Sequence, residues 1–168
     1  MNKTWKQRQE SRRAGAWLLL AAPVLGAWAL ASPSLPARAK SAAPPAPYAA
    51  ACQSCHKPDG GGMPGVFPRL TGRLGPAARS REGRQWLIAA VLFGQSGAIE
   101  VDGKTIRGAM PAVARLSDAE VAATLGWLAG GGKPFTAAEV AAARALPGMT
   151  AAKVGTMRET LATAGTIR

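Results

Sequence analysis

The chain has one histidine, two cysteines and one tyrosine, and its aromatic residues make up only 5% of the sequence. Each scarcity closes a route. Two cysteines and one histidine cannot complete a four-ligand zinc site, which needs a second ligand pair. No second histidine is available to approach a metal from the other side. The chain is rich in alanine and glycine, so a small body buries little large apolar surface and is marginal on its own. That leaves a place for a bulky apolar cofactor. Acidic residues are also few, 9 against 21 Lys and Arg, giving a formal charge of +12. A basic balance points to nucleic acid, an anionic membrane or an acidic protein partner. Arg69, Arg73, Arg79, Arg81 and Arg84 lack the interleaved aromatics of a single-strand binder, which argues against nucleic acid. A solvated face and a docking patch both fit them.

The chain is 168 residues long, and with its first part outside the folded body there is room for one compact domain. Residues 1–39 read as an export signal or membrane anchor. Six charged residues, five of them basic, fall within the first thirteen and precede an apolar run from Ala14 to Ala31. Small residues at Ala29-Leu30-Ala31 and Ala37-Arg38-Ala39 suit a signal peptidase. The run is 18 residues long, at the lower limit for spanning a bilayer, so a retained anchor stays open beside cleavage. Either route predicts an exported, periplasmic body that meets a membrane only through an uncleaved segment. Ser11-Arg12-Arg13 gives an incomplete twin-arginine pattern, which a basic leader also explains. Beyond residue 39 the chain holds 15 basic and 8 acidic side chains, a surplus of +7.

Residues 40–47 read as a Pro/Ala-rich linker, because proline lacks an N–H and restricts its predecessor. The folded body is expected to run over 48–132, followed by a helical extension over 133–168. Neither internal repeats nor clear strand alternation stand out. The body therefore reads as all-α, short helices separated by Gly/Pro-rich loops.

All the cysteine and histidine falls together, as Cys52-Gln53-Ser54-Cys55-His56. Two thiols three apart on a helical turn can reach the vinyl groups along one haem edge, and the next imidazole then points at the iron. Rival readings are weaker. A thioredoxin-like dithiol needs a strand-to-helix context that is missing here, and a disulfide closing so small a loop gains little. The pattern predicts one covalent haem c attached through Cys52 and Cys55, with His56 as an iron ligand.

This run, followed by Gly60-Gly61-Gly62-Met63-Pro64-Gly65-Val66-Phe67-Pro68 and later by Gly103-Lys104-Thr105-Ile106-Arg107-Gly108-Ala109-Met110-Pro111, resembles a class I monohaem cytochrome c. The resemblance covers about residues 46–132. It implies a small helical fold wrapped around one haem, and an electron carrier rather than an enzyme. Such carriers pass electrons between a dehydrogenase or respiratory complex and an oxidase or other acceptor. It also implies that the Pro68 carbonyl accepts the His56 Nδ1–H, and that a C-terminal helix crosses the helix leading into the haem motif; Tyr48 and Trp127 sit at suitable positions for that crossing.

With no second histidine, the other axial ligand must be a methionine. Met63 comes 7 residues after His56, in a loop still on the proximal side. Met110 comes 54 residues after it, enough chain to cross to the opposite haem face, and precedes a stiffening Pro111. Met149 and Met157 lie beyond the resembling region. Met110 is the expected ligand, and core filling is the plain alternative. Were Met110 not a ligand, the open site would suit a haem sensor or peroxidase-like enzyme.

Two capping boxes mark helix starts: Ser117 with Glu120, and Thr136 with Glu139. Val121, Thr124, Leu125 and Leu128 form an apolar stripe after the first. The basic surplus predicts a redox protein partner with an acidic docking face.

Overall fold

The structure, a computed structural model, describes residues 43–167. The expected leader or anchor at 1–39, and the first residues of the linker, lie outside the described residues. Those described belong to one compact unit.

Helix α1 (Ala46–Ala51) starts two residues earlier than the sequence suggested, with Pro45 at the N-cap and proline in the first turn. There the missing N–H costs nothing. After a break at Cys52 the chain turns again as α2 (Gln53–His56). A glycine-rich loop then leads to the short α3 (Gly75–Ala78) and the longer α4 (Arg81–Phe93). The Ser80 hydroxyl caps α4 by accepting the Gly83 N–H at 3.0 Å. Trp86, Leu87, Ile88, Ala89, Val91 and Leu92 are all buried, so α4 is apolar on most of its circumference. A helix of that kind belongs in the interior, and α3, α5, α6 and α7 pack against it.

The next segment corrects the all-α expectation. Strands β1 (Gln95–Val101) and β2 (Lys104–Met110) form an antiparallel hairpin, with Val101 paired to Lys104 across the turn and Gln95 to Met110 at the open end. Asp102 and Gly103 both take positive φ, 51° and 71°. That is the two-residue turn whose twist matches the strands, and Asp-Gly is its usual sequence. Ile99 faces Ile106. The helical body thus carries a two-stranded sheet.

Helix α5 (Asp118–Ala129) has the full capping box of Ser117 and Glu120, and ends at Gly130 in the left-handed conformation. Val121, Thr124, Leu125 and Leu128 form its buried face. It packs against α1, where the Tyr48 and Trp127 rings lie 4.7 Å apart at 52°. Such tilted aromatic contacts favour one crossing geometry over others.

The last residues pack on the body. Helix α6 (Ala137–Arg144) opens on the Thr136–Glu139 capping box, and α7 (Ala151–Thr163) on Thr150. Arg84 of α4 ties α6 in place. Its guanidinium donates to Glu139 at 2.7 and 2.9 Å and to the carbonyls of Ala78, Lys133 and Pro134, while its flat face lies 3.9 Å from the Phe135 ring centre. Arg144 returns the tie, donating to Asp118 and to the carbonyls of Ala114 and Leu116. Val140 and Val154 are completely buried, each worth about 1.5–3 kcal/mol over exposure. Among the described residues no helix is long and apolar enough to cross a membrane.

Candidate functional site

Cys52, Cys55 and His56 share one helical turn. The His56 and Cys55 N–H groups both donate to the Cys52 carbonyl, at 2.9 and 3.2 Å. Three-residue spacing places the two thiols on the same side of the turn, and both are free. Cys52 is buried, and burial pushes its thiol pKa up against the opposing charge of Arg115. The turn is locked to α1 by the Tyr48 hydroxyl, which donates to the Lys57 carbonyl at 2.6 Å. Tyr48 has no exposed surface, and burial pushes its phenol up to about 12. It therefore keeps its proton and stays a donor.

His56 is buried, and its Nδ1 lies 3.0 Å from the Pro68 carbonyl oxygen. A carbonyl can only accept, so Nδ1 carries the proton and Nε2 presents a lone pair. Burial lowers the His56 pKa, and the bond to Pro68 partly opposes it. The neutral imidazole is the form that ligates metals.

The loop after His56 exists to bring Pro68 back to it. Gly62 donates to the His56 carbonyl at 2.9 Å. Its φ is +67°, and a Cβ there would meet the Phe67 oxygen at 2.5 Å and the Pro68 carbonyl at 2.6 Å. Only glycine fits on both counts. Met63 sits in the tight turn that pairs with Phe67 and is 40% exposed.

Met110 comes from a different part of the fold. It is the last residue of β2, half-buried and packed against the core cluster. Three contacts place it. Its strand partner Gln95 accepts the Trp86 indole N–H at 2.7 Å. Gly94, at φ +75°, lies so close that a Cβ would meet the Met110 oxygen at 2.4 Å. The Val113 N–H donates to the Val91 carbonyl at 2.8 Å. The Met-Pro segment is thus clamped to the end of α4. The sequence pointed to Met110 but not to Gly94, Trp86 or Gln95. The signal for the clamp was the Asp102-Gly103 dipeptide between two runs containing isoleucine, valine and threonine.

Of the five arginines between 69 and 84, the structure separates the roles. Arg69 pairs in a two-pronged contact with Asp102, at 2.8 and 2.9 Å, and fastens the loop to the hairpin turn. Arg84 is internal, and Arg73 is partly buried. Only Arg79 and Arg81 stand exposed.

This donor set suits a covalently held haem. It offers two free thiols on one turn, an adjacent imidazole with its lone pair available, and a thioether on a separately anchored segment. It does not suit a bare ion, since no group of three or more His, Cys, Asp or Glu side chains among the described residues could hold one.

A fold of short helices with this turn defines a c-type cytochrome. The family model described as cytochrome c oxidase, cbb3-type, subunit III matches residues 39–128. Two relatives named cytochrome c-552, one from Thermus thermophilus and one from a particular strain of the same species, are each 41% identical over 105 residues. Those alignments span 57% of this chain and 80% and 71% of the relatives. The chain belongs to the class I monohaem cytochromes c. It carries haem c and is an electron carrier, not an enzyme.

Proposed function

We propose that the protein is a periplasmic one-electron carrier whose haem is joined to Cys52 and Cys55 and ligated by His56 and Met110. The observation that carries this reading is the His56–Pro68 bond, which turns the one imidazole of the chain into a fixed neutral donor. When bound, the haem supplies an iron that takes up and releases one electron. The chain's own residues hold that site still. Pro68 fixes the imidazole plane and raises its donor strength. Gly94 and the Val113–Val91 bond hold the segment presenting Met110. With both ligand segments anchored, little rearranges when the charge changes. A thioether ligand favours the reduced state relative to a second imidazole.

The test is Met110→Ala. It is expected to leave haem attached, to bind carbon monoxide readily and to lose the long-wavelength ferric band of methionine ligation. Persistence of that band would point to Met63 instead. Carbon monoxide binding by the wild type at the mutant's rate would favour the sensor or peroxidase-like reading.

The leader reading places the body outside the cytoplasm, with an N-terminus at Ser32 or Lys40 after cleavage; N-terminal sequencing of the holoprotein decides it. For partners, the supporting feature is a cleft of about 940 Å³ with Arg79, Arg81 and Lys133 in its walls. Its one carboxylate, Glu139, is already bound by Arg84. An acidic redox partner would be steered to this face, and steering weakens as salt rises. Reversing the charge of Arg79 and Arg81 is expected to lower the association rate and flatten its salt dependence. A wild-type rate independent of salt in stopped-flow oxidation rejects the electrostatic reading.

A further inference from the structure

Between Met110 and the start of α5 the chain runs through residues 111–117 without helix or strand. Pro111, Ala112, Ala114, Arg115 and Ser117 are exposed, and Val113 and Leu116 are buried. Segments with few buried contacts and solvent-facing backbone open at low cost. This one carries on directly from the residue read as an iron ligand, so what holds it shut matters. Its first half is held by α4, through the Val113–Val91 bond and the close approach of Gly94.

Its second half is held by α6. Arg144, the last residue of that helix, grips three points at alternate residues. Nη1–H donates to the Ala114 carbonyl at 3.1 Å, Nη2–H to the Leu116 carbonyl at 2.8 Å, and Nε–H to the Asp118 carboxylate at 2.9 Å. The planar guanidinium presents these donors in a rigid fork. The pair with Asp118 alone would fasten α6 to α5. The two further bonds go to main-chain carbonyls four and six residues beyond Met110.

Arg144 can hold the segment only if α6 is itself fixed. Val140 is completely buried, and Glu139 is bound by Arg84 near the start of α4. The start of α4 therefore holds α6, α6 holds residues 114–118, and the far end of α4 holds Met110 and Val113. The Met110 segment is closed into a ring of contacts that begins and ends on one buried helix.

We propose that Arg144 is a positioning residue for Met110. By gripping the segment behind the methionine it slows the opening in which the thioether leaves the iron, so α6 governs how long the sixth position stays closed. The inference deepens the His56–Met110 reading and rests on it.

The experiment follows imidazole binding to the ferric holoprotein by stopped flow, in the wild type, Arg144→Gln, Arg144→Lys and Leu161→Ala. At saturating imidazole the rate reads the departure of the methionine. A pyridine haemochrome spectrum and the long-wavelength ferric band are recorded first. A wild type without covalent haem, or without that band, overturns the ligation reading and the role of Arg144 with it. With both present, the variants decide on Arg144 alone. Arg144→Gln is expected to raise the saturating rate about tenfold, since each carbonyl bond at this half-buried site is worth at most roughly a factor of five. Arg144→Lys, which keeps the charge and loses the fork, falls between. The control is Leu161, buried on α7. Gly155 of that helix lies on Ser96 and Arg158 donates to the Glu100 carbonyl, so α7 runs away from Met110 and Leu161 is near its far end. Leu161→Ala costs at least as much stability in guanidinium unfolding and is expected to keep the wild-type rate. An unchanged rate in Arg144→Gln, or an equal rise in Leu161→Ala, overturns the proposal.

Discussion

Gly62→Ala isolates the loop that orients His56. Two costs add. A non-glycine residue at φ +67° pays about 1–2 kcal/mol for the left-handed backbone. The new methyl also sits 2.5 Å from the Phe67 oxygen and 2.6 Å from the Pro68 carbonyl. Both obstacles are backbone, so no side chain can swing away and the loop itself must shift, at about 1–3 kcal/mol. The expected loss is about 2–5 kcal/mol in all. Gly65 is the matched control. Its φ is +78°, yet a Cβ there meets nothing within 4 Å, so Gly65→Ala pays the backbone cost alone, about 1–2 kcal/mol. Guanidinium unfolding of the two holoproteins, followed by haem absorbance, reads the difference. With a slope near 3 kcal/mol/M, the midpoints of the variants should differ by about 0.3–1 M. Because the displaced carbonyl is the acceptor of His56 Nδ1–H, the reduction potential should move in Gly62→Ala and stay put in Gly65→Ala. Equal midpoints and equal potentials would refute the argument that this glycine is there to seat Pro68.

Two further outcomes are expected. The Arg84 guanidinium holds the Glu139 carboxyl at a pKa of about 2, well below its usual 4.5. A depressed carboxylate stabilises the fold fully above the unfolded value and loses that contribution as pH falls from about 4.5 towards 2. Acid titrations of stability should show this slope in the wild type and a flatter one in Glu139→Gln. At neutral pH the variant should be less stable by roughly 2–4 kcal/mol, since a buried guanidinium keeps only its carbonyl acceptors. Thr124, fully buried on α5, has a hydroxyl with no hydrogen-bond partner among the described residues. Thr124→Val, of the same shape, should leave thermal stability unchanged or raise it by up to about 1 kcal/mol; a loss of 2 kcal/mol or more would mean that the hydroxyl has a bonding role in the holoprotein.

How much of this is legible in the sequence depends on the range of the interaction. The Cys52–His56 turn, both capping boxes and the buried stripe of α5 are encoded within a few residues of chain. Local spacing and local hydrogen bonds decide them. The hairpin was also local, yet it was missed. Gly97, Ala98, Gly108 and Ala109 dilute its alternation, and the Asp102-Gly103 turn was the clearer sign.

The cofactor turn and the capped starts of α5 and α6 follow from the types and spacing of neighbouring residues alone, whereas α3 and α4 were not located from the chain. Only the tertiary structure could sort the arginines. Arg69, Arg79, Arg84 and Arg158 look alike along the chain. One fastens the hairpin turn, one faces solvent, one anchors α6, and one is buried on α7 and donates to the Glu100 carbonyl of the hairpin. The same holds for the glycines: Gly62 and Gly65 are neighbours with the same backbone sign, and only the return of Pro68 makes one of them irreplaceable. The physical reason is common to both cases. A charge or a missing Cβ acquires its role from the atoms brought up against it, and those atoms come from distant parts of the chain.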